Sequence, residues 1–338
     1  MKIAVDIFGG DNSPGALVKG SVDAMAEKKD LEIVMVGDED IIRKELDKYP
    51  HDLRRIELCD AKDVITNDDV PTMAIKTKKD SSLVKALELL KSRDDVDGLV
   101  SAGSTGAVLT GGIFKVGRLK NVGRPALAPL LPTKTGGNVC LIDCGANVDC
   151  RPEFLTQFAL MGSCYMKAMF DIEKPRVGLV SVGVEDKKGN ELTKEVFKRL
   201  KELPINFVGN MEARDALTGE YDVLVADGFV GNVLLKTAEG TASMVMSMLK
   251  KAIMSSTSAK IGSLFMKKAF KKLKYDMDYN TRGGAPFLGV EKVLVKAHGG
   301  SNDVAVKVAV LQAARMAEKK LIDTIVSELA QISDNGQA

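Results

Sequence analysis

The sequence predicts an α/β fold built on one mixed, mostly parallel sheet with helices on both faces. Three observations carry that prediction. Short apolar runs alternate with amphipathic segments along most of the chain. The runs are continuously apolar rather than alternating, as in strands covered on both faces. Glycine-rich polar turns follow several of them, as at the carboxyl ends of strands in doubly wound sheets.

Strands are expected at 2–6, 31–36, 55–58, 97–101, 138–143, 176–182, 205–208, 222–226 and 292–296. Helices are expected at 14–28, 38–48, 81–91, 104–115, 152–170, 190–202, 232–253, 260–273 and 303–330. Ser13 and Pro14 provide a cap and a first-turn proline, and Asn190 caps the segment opening on Glu191. No Pro/Gly/Ser-rich linker, low-complexity block or repeat divides the chain. Residues 1–338 are therefore expected to form a single intertwined unit, with a helical arm at 241–275 inside it.

Composition excludes several classes. Hydrophobic residues make up 45% and charged residues 28% of 338, which suits a globular protein with a sizeable core. A net charge of +2 gives no global argument for nucleic acid. The five cysteines form no Cys-x-x-Cys pair and there are two histidines, so no zinc site is expected. No run approaches the ~20 apolar residues of a spanning helix, and the opening strand carries no signal-peptide pattern. A cytoplasmic protein is expected.

Four junctions carry the chemistry: Asp6–Asn12, Ser101–Ala107, Asp143–Asp149 and Asp227–Asn232. Ser101-Ala102-Gly103-Ser104-Thr105-Gly106 is the most informative, because its amides would crown a helix start, which favours an anion. Asp6, Gly9, Gly10 and Asp11 of the first junction, with Asp143 and Asp227 of the third and fourth, are expected at the same phosphate- and substrate-binding cleft. Asp6, Asp143, Asp149 and Asp227 could hold Mg²⁺, but loop tethering, with carboxylates accepting backbone N–H bonds, is the favoured reading, and no metal is assigned. No Gly-x-Gly-x-x-Gly, P-loop or Gly-x-Ser-x-Gly elbow is present. His51 lies in a charged stretch and reads as exposed. His298 lies between a strand and a long helix, a site-like place. Cys144 is the cysteine nearest the loops.

From Thr241 to Tyr275 there are eight lysines and no acid, while the rest of the chain has more acids than bases. At helical spacing Ile261, Leu264, Phe265, Met266, Ala269, Phe270 and Leu273 share a face, with Lys267, Lys268 and most other lysines opposite. This fits an anionic membrane surface or an acidic partner protein, or else a dimer-contact hairpin. The arm lacks arginine, so no nucleic acid is expected as partner.

The junctions, taken in order, resemble the bacterial acyl-acyl carrier protein:phosphate acyltransferases of phospholipid synthesis. The likeness runs from Ala4-Val5-Asp6 and Gly9-Gly10-Asp11-Asn12 to the helix after His298. It includes Arg124-Pro125-Ala126, Asp143-Cys144-Gly145-Ala146-Asn147-Val148-Asp149-Cys150, Gly189–Leu192, Gly209–Asp215 and Asp227–Asn232. Ser104 replaces a common asparagine and Gly300 a common serine. The resemblance implies a three-layer α/β/α fold like the isocitrate and isopropylmalate dehydrogenases and phosphate acetyltransferase. It also implies a peripheral membrane homodimer that needs no cofactor. That enzyme takes an acyl group from acyl carrier protein onto inorganic phosphate and passes acyl phosphate to a glycerol-3-phosphate acyltransferase.

Under that reading phosphate attacks the thioester directly, and the enzyme mainly positions it. Ser101–Ala107 forms the phosphate cradle, while Asn147, Asn232, Lys236 and His298 orient the thioester or stabilise charge. The alternatives are a phosphotransacetylase acting on acetyl coenzyme A, a hydroxy-acid dehydrogenase, and a non-catalytic membrane-surface scaffold for acyl carrier protein.

Overall fold

A computed structural model describes residues 1–277 and 279–334. Along the chain the strands are β1 (Lys2–Asp6), β2 (Glu32–Gly37), β3 (Ile56–Asp60), β4 (Gly98–Ser101), β5 (Ala126–Leu127) and β6 (Leu130–Pro132). They continue as β7 (Asn138–Ile142), β8 (Val177–Ser181), β9 (Phe207–Glu212), β10 (Val223–Val225), β11 (Ala285–Leu288) and β12 (Val293–Lys296). The helices are α1 (Gly15–Glu27), α2 (Glu39–Leu46), α3 (Pro71–Thr77), α4 (Ser82–Ser92), α5 (Thr105–Gly111) and α6 (Pro152–Phe170). Then follow α7 (Glu191–Glu202), α8 (Gly228–Met254), α9 (Thr257–Phe265), α10 (Lys267–Met277), α11 (Asp303–Glu318) and α12 (Leu321–Asp334).

The α/β class is as expected, but the strands form two sheets where one was expected. Their orders are β3-β2-β1-β4-β12-β11-β5 and β6-β7-β10-β8-β9. Most neighbours are parallel; β11 runs antiparallel to β12 and β5, and β6 to β7. The chain crosses between sheets at Ala128-Pro129, where Ala128 N–H donates to the Pro286 carbonyl and Pro129 accepts from Leu141 N–H. β5 and β6 escaped the sequence pattern because they are too short to show a period, and β11 because it carries a proline.

Side-chain alternation builds the layers. Ile3 and Val5 of β1, Ile33 and Met35 of β2, and Cys140 and Ile142 of β7 enter one buried cluster. Ala4, Val34 with Val36, and Val139 with Leu141 enter the other. Each cluster thus draws on both sheets, one under α1, α6, α7, α11 and α12 and the other under α3, α4 and α5.

Helix ends depart from expectation in readable ways. α1 starts at Gly15 with no side-chain cap, because the Ser13 hydroxyl donates back to the Gly10 carbonyl. Asn190 caps α7 as expected, accepting from Thr193 N–H at 2.9 Å. The expected 303–330 helix is broken between α11 and α12, where Lys320 is left-handed at φ 50°. Asp227 caps α8, which begins at Gly228, four residues before the expected start, and the expected 260–273 helix divides at Met266.

β1 lies between β2 and β4, so the strand order reverses direction there and a crevice opens beyond its carboxyl end. Packing of α1 on α11 closes the other face. A Cβ on Gly20 would lie 2.6 Å from the Asp303 carbonyl oxygen and from Val306 Cβ. Gly20→Val should therefore lower stability by about 1–3 kcal/mol through overpacking, read as a lower urea midpoint. An unchanged midpoint would mean the two helices part without cost.

Candidate active site

Three loops meet above β1, β4 and β12. Asp11 N–H donates to the Gly299 carbonyl at 2.8 Å, and Ala297 N–H to the Ser101 carbonyl at 2.9 Å. Asn12 Nδ2 donates to the Gly300 carbonyl at 3.1 Å. Glycine permits the approach. A Cβ on Gly9 would stand 2.6 Å from Gly103 N, and one on Gly10, at φ +93°, 2.8 Å from the Gly299 carbonyl oxygen.

Beneath them Asp6 is 1% exposed. Its Oδ2 accepts from the Ser101 hydroxyl at 2.7 Å, and Ser101 Oγ accepts Gly103 N–H at 3.1 Å. Burial pushes the Asp6 carboxyl up, opposed by the hydroxyls of Ser82 and Ser101 and the amides of Phe8 and Gly9. Asp6 and Ser101, expected to bind phosphate, are sealed under the loop and hold it instead. Gly106, like Gly9, has no room for a side chain: a Cβ there would press on Pro71 at 2.9 Å.

The third and fourth junctions are locked to each other. Asp143 Oδ1 accepts from Leu127 N–H at 2.9 Å and Cys144 N–H at 2.7 Å. Its Oδ2 accepts from Asn147 N–H at 2.6 Å and Asn147 Nδ2 at 3.0 Å. Asn147 Nδ2 also donates to the Pro125 carbonyl at 2.8 Å. Asp143 is therefore a tether rather than a substrate ligand, and the Asn147 amide is committed to it. Gly228 N–H donates to the Asn147 carbonyl at 2.7 Å, and Gly231 packs against the Asp143 carbonyl where a side chain would not fit. Asp227 caps α8 through Val230 N–H at 2.7 Å. Asp149 is exposed.

These contacts aim α8 so that Asn232, Leu235, Lys236 and Glu239, spaced as one helix face, line a cleft. The cleft has two compartments. A polar one of about 470 Å³ is lined by Gly10, Asp11, Thr66, Asn67, Gly103, Ser104, Thr105 and Gly299. A more apolar one of about 360 Å³ is lined by Leu127, Pro129, Leu130, Val148, Phe229 and Leu235. Thr105, Lys236, Lys296 and His298 border both. The structure thus brings together Gly10, Asp11, Gly103, Ser104, Thr105, Asn232, Lys236 and His298 of the expected residues.

His298 Nδ1 accepts from Gly300 N–H at 3.1 Å, so a neutral ring carries its proton on Nε2. Burial, then the Lys236 and Lys296 charges, push its pKa down, which favours that neutral form. Lys236 pairs with Glu239 at 2.8 Å. Burial pushes all five cysteine thiols up, Cys144 well up; none is poised as a thiolate nucleophile. His51 is half-buried rather than exposed, with Nδ1 2.9 Å from the Tyr49 carbonyl oxygen.

Sequence reasoning missed Lys296. It is 7% exposed and borders both compartments. Its signal was a single lysine ending the apolar strand Val293-Leu294-Val295, at a carboxyl end where ligands gather. Thr66 and Asn67 were missed too, and nothing in their loop marks them.

Of solved structures, EutD phosphotransacetylase from Staphylococcus aureus matches with a TM-score of 0.62 at 16% identity, over 94% of each chain. A branched-chain phosphotransacylase from Enterococcus faecalis V583 matches at 0.58 and 14%, over 94% of this chain and 99% of that one. The chain therefore shares its overall fold with these phosphotransacylases. The family described as "Fatty acid synthesis protein" matches residues 1–324. "Phosphate acyltransferase" of Clostridium novyi (strain NT) is 50% identical over 331 residues, 98% of this chain and 99% of that protein. "Putative phosphate acyltransferase" of Clostridium perfringens (strain 13 / Type A) is 51% identical over 338 residues, 100% and 99%. This chain belongs to the phosphate acyltransferase family, and it is an acyltransferase.

The tether has a measurable weight. Asp143→Ala strands buried N–H donors at about 1–3 kcal/mol each and should cost at least about 3 kcal/mol, whereas Asp227→Ala removes one cap worth about 1 kcal/mol. Equal losses in denaturant unfolding would contradict the ranking.

Proposed function

We propose that the enzyme transfers a fatty-acyl group from acyl-acyl carrier protein to inorganic phosphate, giving acyl phosphate for phospholipid synthesis. The observation that carries this reading is the two-compartment cleft, polar on one side and apolar on the other, with Lys236, Lys296 and His298 on the border. Phosphate suits the glycine-lined polar compartment, with the thioester at the border and the acyl chain beyond. An oxygen of hydrogen phosphate forms the new C–O bond. The C–S bond breaks, and the sulfur leaves with its electron pair and takes up the phosphate's proton. The His298 Nε2–H and the lysine charges suit the oxyanion that develops between those events.

Length of chain is the second question. Phe229 also borders an apolar cavity of about 590 Å³ lined by Val233, Leu234, Thr237, Thr241, Val245 and Met277. From Phe229 to Val245 the helix rises about 24 Å at ~1.5 Å per residue. Such a trough supports a long acyl chain over the acetyl group that a phosphotransacetylase handles. With long-chain acyl-acyl carrier protein, thiol release should require phosphate and no nucleotide, nicotinamide or added metal, and acetyl coenzyme A should turn over far more slowly. Preference for acetyl coenzyme A, or strict dependence on NAD or Mg²⁺, would overturn this reading.

The arm supports a peripheral membrane position. Among the described residues no helix is long and apolar enough to cross a membrane. Yet Leu264 is 71% and Phe265 89% exposed, with Ile261 beside them. Lys267 and Lys268 are exposed and Phe270 is half-buried; the Lys274 side chain lies outside the described residues. Burying each large apolar side chain contributes about 1.5–3 kcal/mol and each lysine about 1 kcal/mol at an anionic surface. Leu264→Glu with Phe265→Glu should abolish anionic-vesicle binding while soluble turnover survives. Retained vesicle binding with loss of a homodimer would assign this face to the subunit contact.

A further inference from the structure

We propose that Lys296 is the buried counter-ion of the bound phosphate, and so a catalytic residue of the transfer. The inference rests on the phosphate-transfer reading and adds the group that holds the nucleophile. Lys296 ends β12 between β4 and β11, where its side chain is 7% exposed. Its Nζ donates to the Ala297 carbonyl at 2.5 Å and to the Ala102 carbonyl at 3.4 Å. An ammonium has three N–H donors and no acceptor, so one donor remains. Among the described residues no carboxylate forms an ion pair with it.

Buried charges are paired or are costly. The charged groups acting on Lys296 are Asp6 and Asp11, which favour its cationic form, and Lys236, which opposes it. Among the described residues Asp6 forms no ion pair with Lys296 and its buried Oδ1 has no hydrogen-bond partner; its Oδ2 accepts from Ser101, and burial pushes the carboxyl up towards its neutral form. Asp11 lies on the polar compartment's wall. His298 is held towards its neutral form, and Glu239 pairs with Lys236. The missing partner of the Lys296 charge is thus an anion in the compartment it borders. The Ala102 carbonyl that Lys296 touches directly precedes the Gly103–Thr105 wall, so a phosphate against that wall meets the remaining donor. From there the ammonium borders both the attacking oxygen's compartment and the thioester's.

Burial lowers the Lys296 pKa to about 8. The ammonium is present below that pH and is lost as pH rises through it. Phosphate affinity should therefore weaken above pH about 8, and this inflection should vanish when the amine is removed.

The test uses the full chain and inorganic phosphate, with potassium chloride matching the ionic strength. Wild-type melting temperature should rise with phosphate, and Lys296→Met should lose that rise while its phosphate-free melting temperature is at least as high. The phosphate KM of Lys296→Met should rise by about tenfold or more, as for loss of a hydrogen bond to a charged group, with the acyl-donor KM little changed. Lys296→Gln keeps donors for both carbonyls without the charge and should behave alike. An unchanged phosphate KM in both variants, a retained phosphate-induced rise, or no rise in wild type would overturn the inference. Absence of phosphate-dependent thiol release in wild type, with the rise still abolished by Lys296→Met, would overturn the transfer reading and leave the anion seat standing.

Discussion

The cleft depends on how closely three backbones approach one another at the carboxyl ends of β1, β4 and β12. Gly9 and Gly10 allow a separation that any Cβ would prevent, because the nearest atoms are backbone and cannot rotate away. The buried Asp6–Ser101–Gly103 chain then fixes the second loop from below. Burying that carboxyl is costly, and its bonds to Ser101 and nearby amides offset part of the cost.

A second lock supplies the other wall. The Asp143 carboxylate gathers amides from β5 and its own loop, and through Asn147 and Gly228 it sets where α8 begins. α8 then runs from the cleft to the arm without a break. Its first turns present Asn232 and Lys236 to the border, its middle the apolar trough, and its far end the exposed arm. One helix register therefore ties the cleft to the exposed arm.

Much of this was legible in the sequence because continuous apolar runs and polar glycine turns report parallel strands and their carboxyl ends. The α6 limits were read to the residue, and the four junctions do converge in space. What failed was the assignment of individual polar groups. Asp6, Ser101, Asp143 and Asn147 look like ligands in a linear motif, yet their partners are backbone amides, carbonyls and each other, contacts that only folding reveals. Lys296 was overlooked for the converse reason: an isolated lysine reads as a solvated strand end until β4 and β11 close on either side of it. The break between sheets at Ala128-Pro129 was hidden because β5 and β6 are too short to show a period.

The proposed reaction is transfer by juxtaposition, in which phosphate and thioester would be held side by side with no acyl group resting on the protein. The thiols, all pushed up by burial or partial burial, and a sequence without a Gly-x-Ser-x-Gly elbow fit that chemistry. Intact-mass measurement after mixing the enzyme with long-chain acyl-acyl carrier protein, without phosphate, tests it most directly. An unmodified protein mass that persists until phosphate is added, with acyl phosphate then appearing, is the expected result. An acylated protein formed before phosphate arrives, and discharged by it, would contradict direct transfer.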